Sequence, residues 1–215
     1  MKGYGSRHLR VFVLDDHDIV RRGLRDLLTK RDITVVGHSG SASEAPRSIL
    51  ELRPDVMVLD VRLPDGSGAR VCRDVRAVDP SISGLLLTSA GDEDALILSV
   101  LAGASGFVIK LAGTNEILDA VRRIGAGMPL LDPASARRIK EDLAVRADGL
   151  QPPLTVPQAD VRSLVLDGRT DQQVADALDD QMASVRDDVA LLMARLTTSP
   201  SLVDWRPTGK HRRSS

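Results

Sequence analysis

The residues with chemical potential in this sequence are carboxylates, a hydroxyl and a lysine, each closing an apolar run. Asp60 closes Val56-Met57-Val58-Leu59, and the turn Pro64-Asp65-Gly66 follows it. Asp15 and Asp16 come directly after a second run, Leu9 to Leu14. Thr88 closes Leu85-Leu86-Leu87, and Lys110 closes Gly106 to Ile109. Carboxylates brought together repel one another unless a cation joins them. An all-oxygen donor set suits a hard cation such as Mg2+, which keeps several of its waters and needs few protein ligands. A carboxylate beside that ion can accept a phosphoryl group. Such a transfer rests on positioning and on neutralising oxygen charge. The Thr88 hydroxyl and the Lys110 ammonium are donors suited to phosphoryl oxygens. Taken singly, a strand-end Asp is usually a turn acid, Thr88 an ordinary helix cap and Lys110 an exposed lysine. Their conjunction at the ends of successive strands carries the functional reading.

The elements that position these residues follow from hydrophobic periodicity. Leu9–Leu14, Ile33–Val36, Val56–Asp60, Leu85–Leu87 and Gly106–Ile109 read as short buried strands. Helices alternate with them: one carrying Ile19, Val20, Leu24, Leu27 and Leu28, then Ala42–Leu52 with Ser43 as N-cap, Ser67–Val78, Asp92–Ala102 closed by Gly103, and Thr114–Ile124 with Thr114 as N-cap. The strands close on Asp15, Gly37, Asp60, Thr88 and Lys110. Strict alternation of this kind specifies a doubly wound parallel α/β sheet with helices on both faces. Ligands of such sheets bind beyond the carboxyl ends of the strands. Asp60 therefore stands at a binding rim, not in a core.

The character changes after Pro129. Ala134–Val145 reads as a charged helix, and Ala147–Pro153, with Gly149, Pro152 and Pro153, as a linker. Residues 155–196 read as three helices. Leu164 and Val165 anchor the first, Thr170 caps the second, and Val185, Val189, Leu192 and Leu196 line the third. Two short helices joined by a tight turn are a helix-turn-helix pattern. The polar stretch after Leu196 ends in Lys210-His211-Arg212-Arg213 and is expected to be disordered, with Trp205 as a cap on the small helical core.

Composition excludes several classes. The 215 residues carry a net charge of −1, so there is no global pull towards nucleic acid or an anionic membrane. Aromatics are only 2%, which argues against stacking on splayed bases. The one cysteine, Cys72, lies on a helix face and reads as a small buried hydrophobe. No segment approaches the ~18–20 apolar residues of a membrane span. Met1–Arg10 has no apolar core of a signal peptide, so a cytoplasmic protein is expected.

Residues 9–126 resemble the receiver domain of two-component response regulators, a flavodoxin-like fold with strand order 2-1-3-4-5. The resemblance rests on Asp15-Asp16, on Leu59-Asp60 with Leu63-Pro64-Asp65-Gly66, on Leu87-Thr88-Ser89 and on Gly106-Phe107-Val108-Ile109-Lys110. It implies that Asp60 accepts a phosphoryl group from a histidine kinase. It also implies that Asp15, Asp16, Asp60 and the backbone carbonyl of Arg62 form the Mg2+ site, and that Thr88 and Lys110 contact phosphoryl oxygens. Phe107 matches the family's aromatic switch. Asp15-Asp16-His17 and Gly103-Ala104-Ser105-Gly106-Phe107 point to the NarL/LuxR (FixJ) type, with His17 a helix-start residue and not a catalytic one.

Residues 154–205 resemble the LuxR-type helix-turn-helix, with 127–153 as linker and 206–215 as basic tail. The matching pieces are Leu154-Thr155, Leu166 to Ala175 and Ser184-Val185-Arg186. The resemblance makes Thr170, Ser184, Arg186 and Asp187 the candidate DNA contacts. The departures lie on the same helix. Ala183 stands where the family usually has lysine, Asp187 where a neutral polar residue is common, and Asp188 where His or Tyr is common. Gln158 replaces a Glu of the first helix, and Arg162 a normally apolar residue. Carboxylates facing phosphates cost affinity.

Three functions compete at this level. One is a transcription regulator gated by phosphorylation, forming a homodimer on phosphorylation and binding duplex DNA. Another is a signalling protein whose helix-turn-helix binds protein and no longer reads DNA. The third, an α/β enzyme such as an aspartate-dependent phosphatase, lacks the nucleophile-x-Asp pattern because Asp15 and Asp16 are contiguous. No independent turnover is expected.

Overall fold

The computed structural model describes residues 8–89, 95–111, 113–148 and 153–197. Five parallel strands form its centre: β1 (Arg10–Leu14), β2 (Thr34–Ser39), β3 (Val56–Asp60), β6 (Ser83–Thr88) and β7 (Gly106–Ile109). Two short strands, β4 (Arg62–Leu63) and β5 (Gly66–Ser67), pair antiparallel just past β3. The main sheet runs β2-β1-β3-β6-β7, the flavodoxin-like order. Pleating sends alternate residues of β1 to opposite faces. Phe12 and Leu14 meet Ala45 and Ile49 of α2 (Ala45–Leu52) and Cys72 and Val75 of α3 (Gly68–Val78). Val11 and Val13 meet Leu24 and Leu28 of α1 (Asp18–Thr29) and Leu118 and Val121 of α5 (Thr114–Gly125). Every residue of β3 is buried, as expected of a strand covered on both faces. Each of these large aliphatic side chains contributes roughly 1.5–3 kcal/mol by leaving water.

Several local expectations need correction. β2 does not stop at Gly37 but runs to Ser39, because its pairing with β1 continues through His38 and Ser39 after a register shift. A Cβ at Gly37 would lie 2.5 Å from Leu52 Cδ1, so this glycine serves close packing. Ser43 is not the cap of α2. The N-cap is Glu44, which makes no side-chain capping bond, and Ser43 instead donates its N–H and hydroxyl to Asp65. Thr114 is the first residue of α5 and Gly113 its N-cap. Of the helix expected over Asp92–Ala102, the described part is α4 (Ala95–Leu101), and Gly103 follows it with φ +62°. Cys72 is fully buried, and burial pushes its thiol up to about 12.

The C-terminal half is all helix: α6 (Pro133–Asp148), α7 (Val156–Leu166), α8 (Asp171–Leu178) and α9 (Met182–Thr197). Ala147 lies within α6 and is buried, so the linker begins later than the sequence suggests. Thr155 and Thr170 each close a capping box, with Gln158 and Gln173 returning the bond, which fixes the start of α7 and α8. Val161, Val165, Val174, Val185 and Val189 form a small core of their own. Leu192 of α9 leaves that core and joins Leu96, Ile97, Val100 and Leu101 of α4 and Ile139 and Leu143 of α6. The helical module is thus seated on the α4 side of the sheet domain. Trp205, the side chain of Leu196 and the basic tail lie outside the described residues.

Candidate functional site

The register of the sheet builds the site. Leu14 of β1 faces Leu59 of β3, so the next residues, Asp15 and Asp60, emerge side by side. Both are buried, at 0% and 4% exposure. Lys110 follows β7, and its N–H donates to the Thr88 carbonyl at the end of β6. Its Nζ reaches Asp60 Oδ2 at 2.6 Å and Asp15 Oδ2 at 2.7 Å. Two carboxylates from different strand ends thus share one ammonium. Burial raises the Asp60 carboxyl above its ordinary range, against the pull of Lys110, and the Asp15 charge adds to the rise. For Lys110, burial opposes the ammonium, but Asp15 and Asp60 outweigh it and hold the group above its ordinary range.

Asp16 completes the cluster. Oxygens of Asp15, Asp16 and Asp60 and a ring nitrogen of His17 all lie within 4.8 Å of one another. Asp16 Oδ1 is buried and has no hydrogen-bond donor among the described residues, although His17 Nδ1 is 2.8 Å away. Three carboxylates against one ammonium leave two negative charges, the complement of a divalent cation. A hard, oxygen-seeking ion fits this donor set. His17 also serves the backbone: its N–H donates to Asp15 Oδ1 at 2.9 Å, and its carbonyl accepts from Val20 and Arg21 at the start of α1. The sequence reading gave His17 only the helix start; its ring beside Asp16 became visible only in three dimensions.

The loop after β3 is held tightly. Arg62 donates its N–H to Asp60 Oδ1 at 3.3 Å and pairs with Ser67 across the β4–β5 ladder. Asp65 accepts from the N–H of Ala42 at 2.9 Å, from the Ser41 hydroxyl at 2.7 Å and from Ser43. Those donors hold its carboxyl well below the usual range. Gly68 is the most constrained position. A Cβ there would sit 2.1 Å from the carbonyl oxygen of Asp60, so only glycine lets α3 begin beside the site. Sequence reasoning missed Gly68; its one signal was a glycine at a helix start where Ala would propagate better.

Thr88 is buried at the end of β6, the strand neighbouring β3. Phe107 is half-buried in β7 and packs against both the α2–α3 cluster and the α4–α6 cluster. It is the side chain that touches both the sheet and the helices under the C-terminal module.

The candidate DNA contacts do not gather on one free surface. Thr170 is buried, and its hydroxyl accepts from Gln173 N–H. Ser184 is exposed and donates to Asp180 at 3.1 Å. Arg186 lines a cavity between α9 and the sheet domain, and Asp187 faces solvent. Asp171, which the sequence reading did not single out, is almost fully buried. It pairs with Arg73 of α3 and, at 2.9 Å, with Arg70 Nε. The stretch 154–197 holds eight aspartates and four arginines, a net charge of −4.

Comparison with known proteins decides the family. The family model described as the response regulator receiver domain matches residues 11–122. The chain belongs to the response regulators. Among curated response regulators it is 40% identical, over 191 residues, to the DNA-binding transcriptional activator DevR/DosR of Mycobacterium tuberculosis, covering 87% of this chain and 88% of that one. Among solved response regulators, a LuxR-family protein from Aurantimonas sp. SI85-9A1 aligns with a TM-score of 0.55 at 34% identity, covering 63% of this chain and 98% of that chain. The receiver domain of the putative response regulator NarL from Mycobacterium tuberculosis aligns with a TM-score of 0.53 at 31% identity, over 56% of this chain and 98% of that chain. Among the described residues, no helix is long and apolar enough to cross a membrane.

Proposed function

We propose that this response regulator takes a phosphoryl group onto Asp60 from a histidine kinase and passes the signal to duplex DNA through α8 and α9. The observation that carries the reading is the convergence of Asp15, Asp60 and Lys110, from three separate strand ends, on one ammonium. In the transfer, an oxygen of the Asp60 carboxylate attacks phosphorus while the bond from phosphorus to the kinase imidazole breaks. Asp15, Asp16, Asp60 and the carbonyl of Arg62 would hold Mg2+, which would supply charge neutralisation for the phosphoryl oxygens. Lys110 gives up its contact with Asp60 Oδ2 and pairs with a phosphoryl oxygen. Thr88 donates its hydroxyl to another, and Phe107 follows it inward. No turnover beyond this transfer is part of the reading.

The output follows from what Phe107 touches. The cluster it packs against, which holds Leu96, Ile97, Val100 and Leu101, also holds Leu192 of α9. A shift there loosens the module, provided two packings already lie within a few kcal/mol. Residues 9–126 are then the phosphoacceptor unit, 127–153 the connector and 154–205 the output unit, working as a homodimer once released. Incubation with acetyl phosphate and Mg2+ tests the input: wild type acquires an acid-stable, base-labile phosphoryl group and Asp60→Asn does not. Persistent labelling of Asp60→Asn overturns the assignment.

A second reading is favoured by one observation, the net charge of −4 over residues 154–197. On this reading the module binds a protein and not DNA. Affinity for DNA rests on cations that release phosphate counterions. A salt titration separates the two: binding to promoter DNA that weakens steeply with salt supports the first, and absent binding by the phosphorylated protein supports the second.

A further inference from the structure

The seam between α3, α4 and α9 holds a half-open cavity of about 290 Å3, at the small end of the ~300–1,000 Å3 typical of small-molecule sites. Its lining combines two kinds of chemistry. Leu98 and Leu101 of α4, Ala69 of α3 and Val189 of α9 supply an apolar floor. Arg70, Arg73 and Arg186 also line it, the first two paired with Asp171. Apolar walls with a few convergent polar groups are what a small-molecule site needs.

The polar part is not balanced. Arg73 is 4% exposed and bonds Asp171 through one terminal nitrogen, yet its buried Nε has no hydrogen-bond partner among the described residues. Burial works against its charge. Arg186 forms no hydrogen bond or ion pair among the described residues, and feels Asp74 only through space. Three arginines face two aspartates, Asp171 in the lining and Asp74 beside it, which leaves one positive charge unmatched next to the apolar lining. A buried donor without a partner is costly, so an acceptor that enters here recovers that cost. Its rest must be largely apolar, because Ala69, Leu98, Leu101, Ala102 and Val189 make up most of the remaining lining, with Ser67 its one hydroxyl.

We propose that this cavity binds a small amphipathic monocarboxylate, its carboxylate accepting from Arg73 Nε and Arg186 and its hydrocarbon body lying on Leu98, Leu101 and Val189. The site exists only while α9 is seated on α3 and α4, because Arg186, Val189 and Asp171 come from one side and the other lining residues from the other. A molecule bound there therefore favours the seated form over the released one by its difference in affinity for the two. This makes it an input independent of Asp60.

Octanoate is the probe and octanol its uncharged control, each titrated calorimetrically into the full-length unphosphorylated chain. Saturable binding of octanoate is expected, with octanol at least about tenfold weaker, the loss expected of a missing charge-assisted bond. Arg186→Ala removes an exposed side chain and should weaken octanoate by about tenfold while circular dichroism and acetyl phosphate labelling stay unchanged. Leu98→Trp fills the floor and should abolish binding, again with labelling intact. No saturable binding, equal binding of octanol, or octanoate binding that ignores both substitutions overturns the proposal. None of these outcomes depends on whether Asp60 is the phosphoacceptor, since labelling is read separately.

Discussion

Aspartates gather at two places in this molecule, and they do opposite things. At the sheet rim, Asp15, Asp16 and Asp60 converge until their oxygens share one 4.8 Å space with His17. The backbone forces them together, because β1 and β3 are neighbours in register and end at the same level. In the C-terminal module, Asp179, Asp180 and Asp187 are exposed to solvent, while Asp171 turns in, against Arg70 and Arg73. Convergent carboxylates store repulsion that a cation and a phosphoryl chemistry can use. Divergent ones only set a surface potential. The sheet rim of this response regulator therefore gathers negative charge where a cation can neutralise it, while the helical module spreads negative charge where it opposes a polyanion.

The contrast can be broken at its strongest point first. Asp60→Asn should remove phosphoryl labelling completely and leave the sheet domain folded, since the amide keeps the shape of the carboxyl group; intact labelling measured by acid–urea gel or mass spectrometry would contradict it. Asp171→Ala comes next. It leaves Arg73 buried without its partner, a cost of about 3–5 kcal/mol if nothing moves. The seam can open instead, so the expected result is a module that leaves the sheet domain, with a larger radius of gyration by small-angle scattering and an unchanged melting of the sheet domain. A compact chain that simply loses stability would place Asp171 in structure and not in docking.

Gly68→Ala probes the rim from the backbone side. Its Cβ would lie 2.1 Å from the Asp60 carbonyl oxygen, which forces a backbone shift costing about 1–3 kcal/mol. Denaturant unfolding should show that loss, and labelling should slow because Asp60 is displaced; a variant with wild-type labelling rate would show that the loop yields freely. The smallest effect concerns Asp65. Its carboxyl is held below the usual range by Ala42, Ser41 and Ser43. A group with a lowered folded pKa stabilises fully above its unfolded value, about 3.9, and the contribution fades as pH falls through the folded value. Asp65→Asn should lower the melting temperature slightly near neutrality, and the difference from wild type should shrink in strong acid. A difference that stays constant across that range would remove the ionised carboxylate from the explanation.

How much of this could be read from the chain follows the same division. Apolar runs that end on polar residues announce a parallel sheet and its rim, because strand burial and strand ends are local properties. Asp60, Asp15, Asp16, Thr88 and Lys110 can be placed at strand ends that way. Boundaries were read less well: β2 outran Gly37 because pairing with β1, not composition, sets where a strand stops. Ser43 looked like a helix cap, but Asp65 claimed its donors from across the loop. The seam was invisible. Arg73 sits among ordinary helix residues and Asp171 at an ordinary helix start, and nothing local says that they meet across 98 positions of chain. Gly68 was overlooked for the same reason, since the obstacle to a larger side chain comes from another element.

The central claim is that chemistry at Asp60 governs whether the acidic module stays seated. The most direct measurement is the distance between probes on α3 and α9 of the full-length chain, followed on adding beryllofluoride and Mg2+ as a phosphoryl mimic. Wild type should lengthen and Asp60→Asn should not. An unchanged distance in a wild-type protein shown to have bound the mimic at Asp60 would contradict the claim.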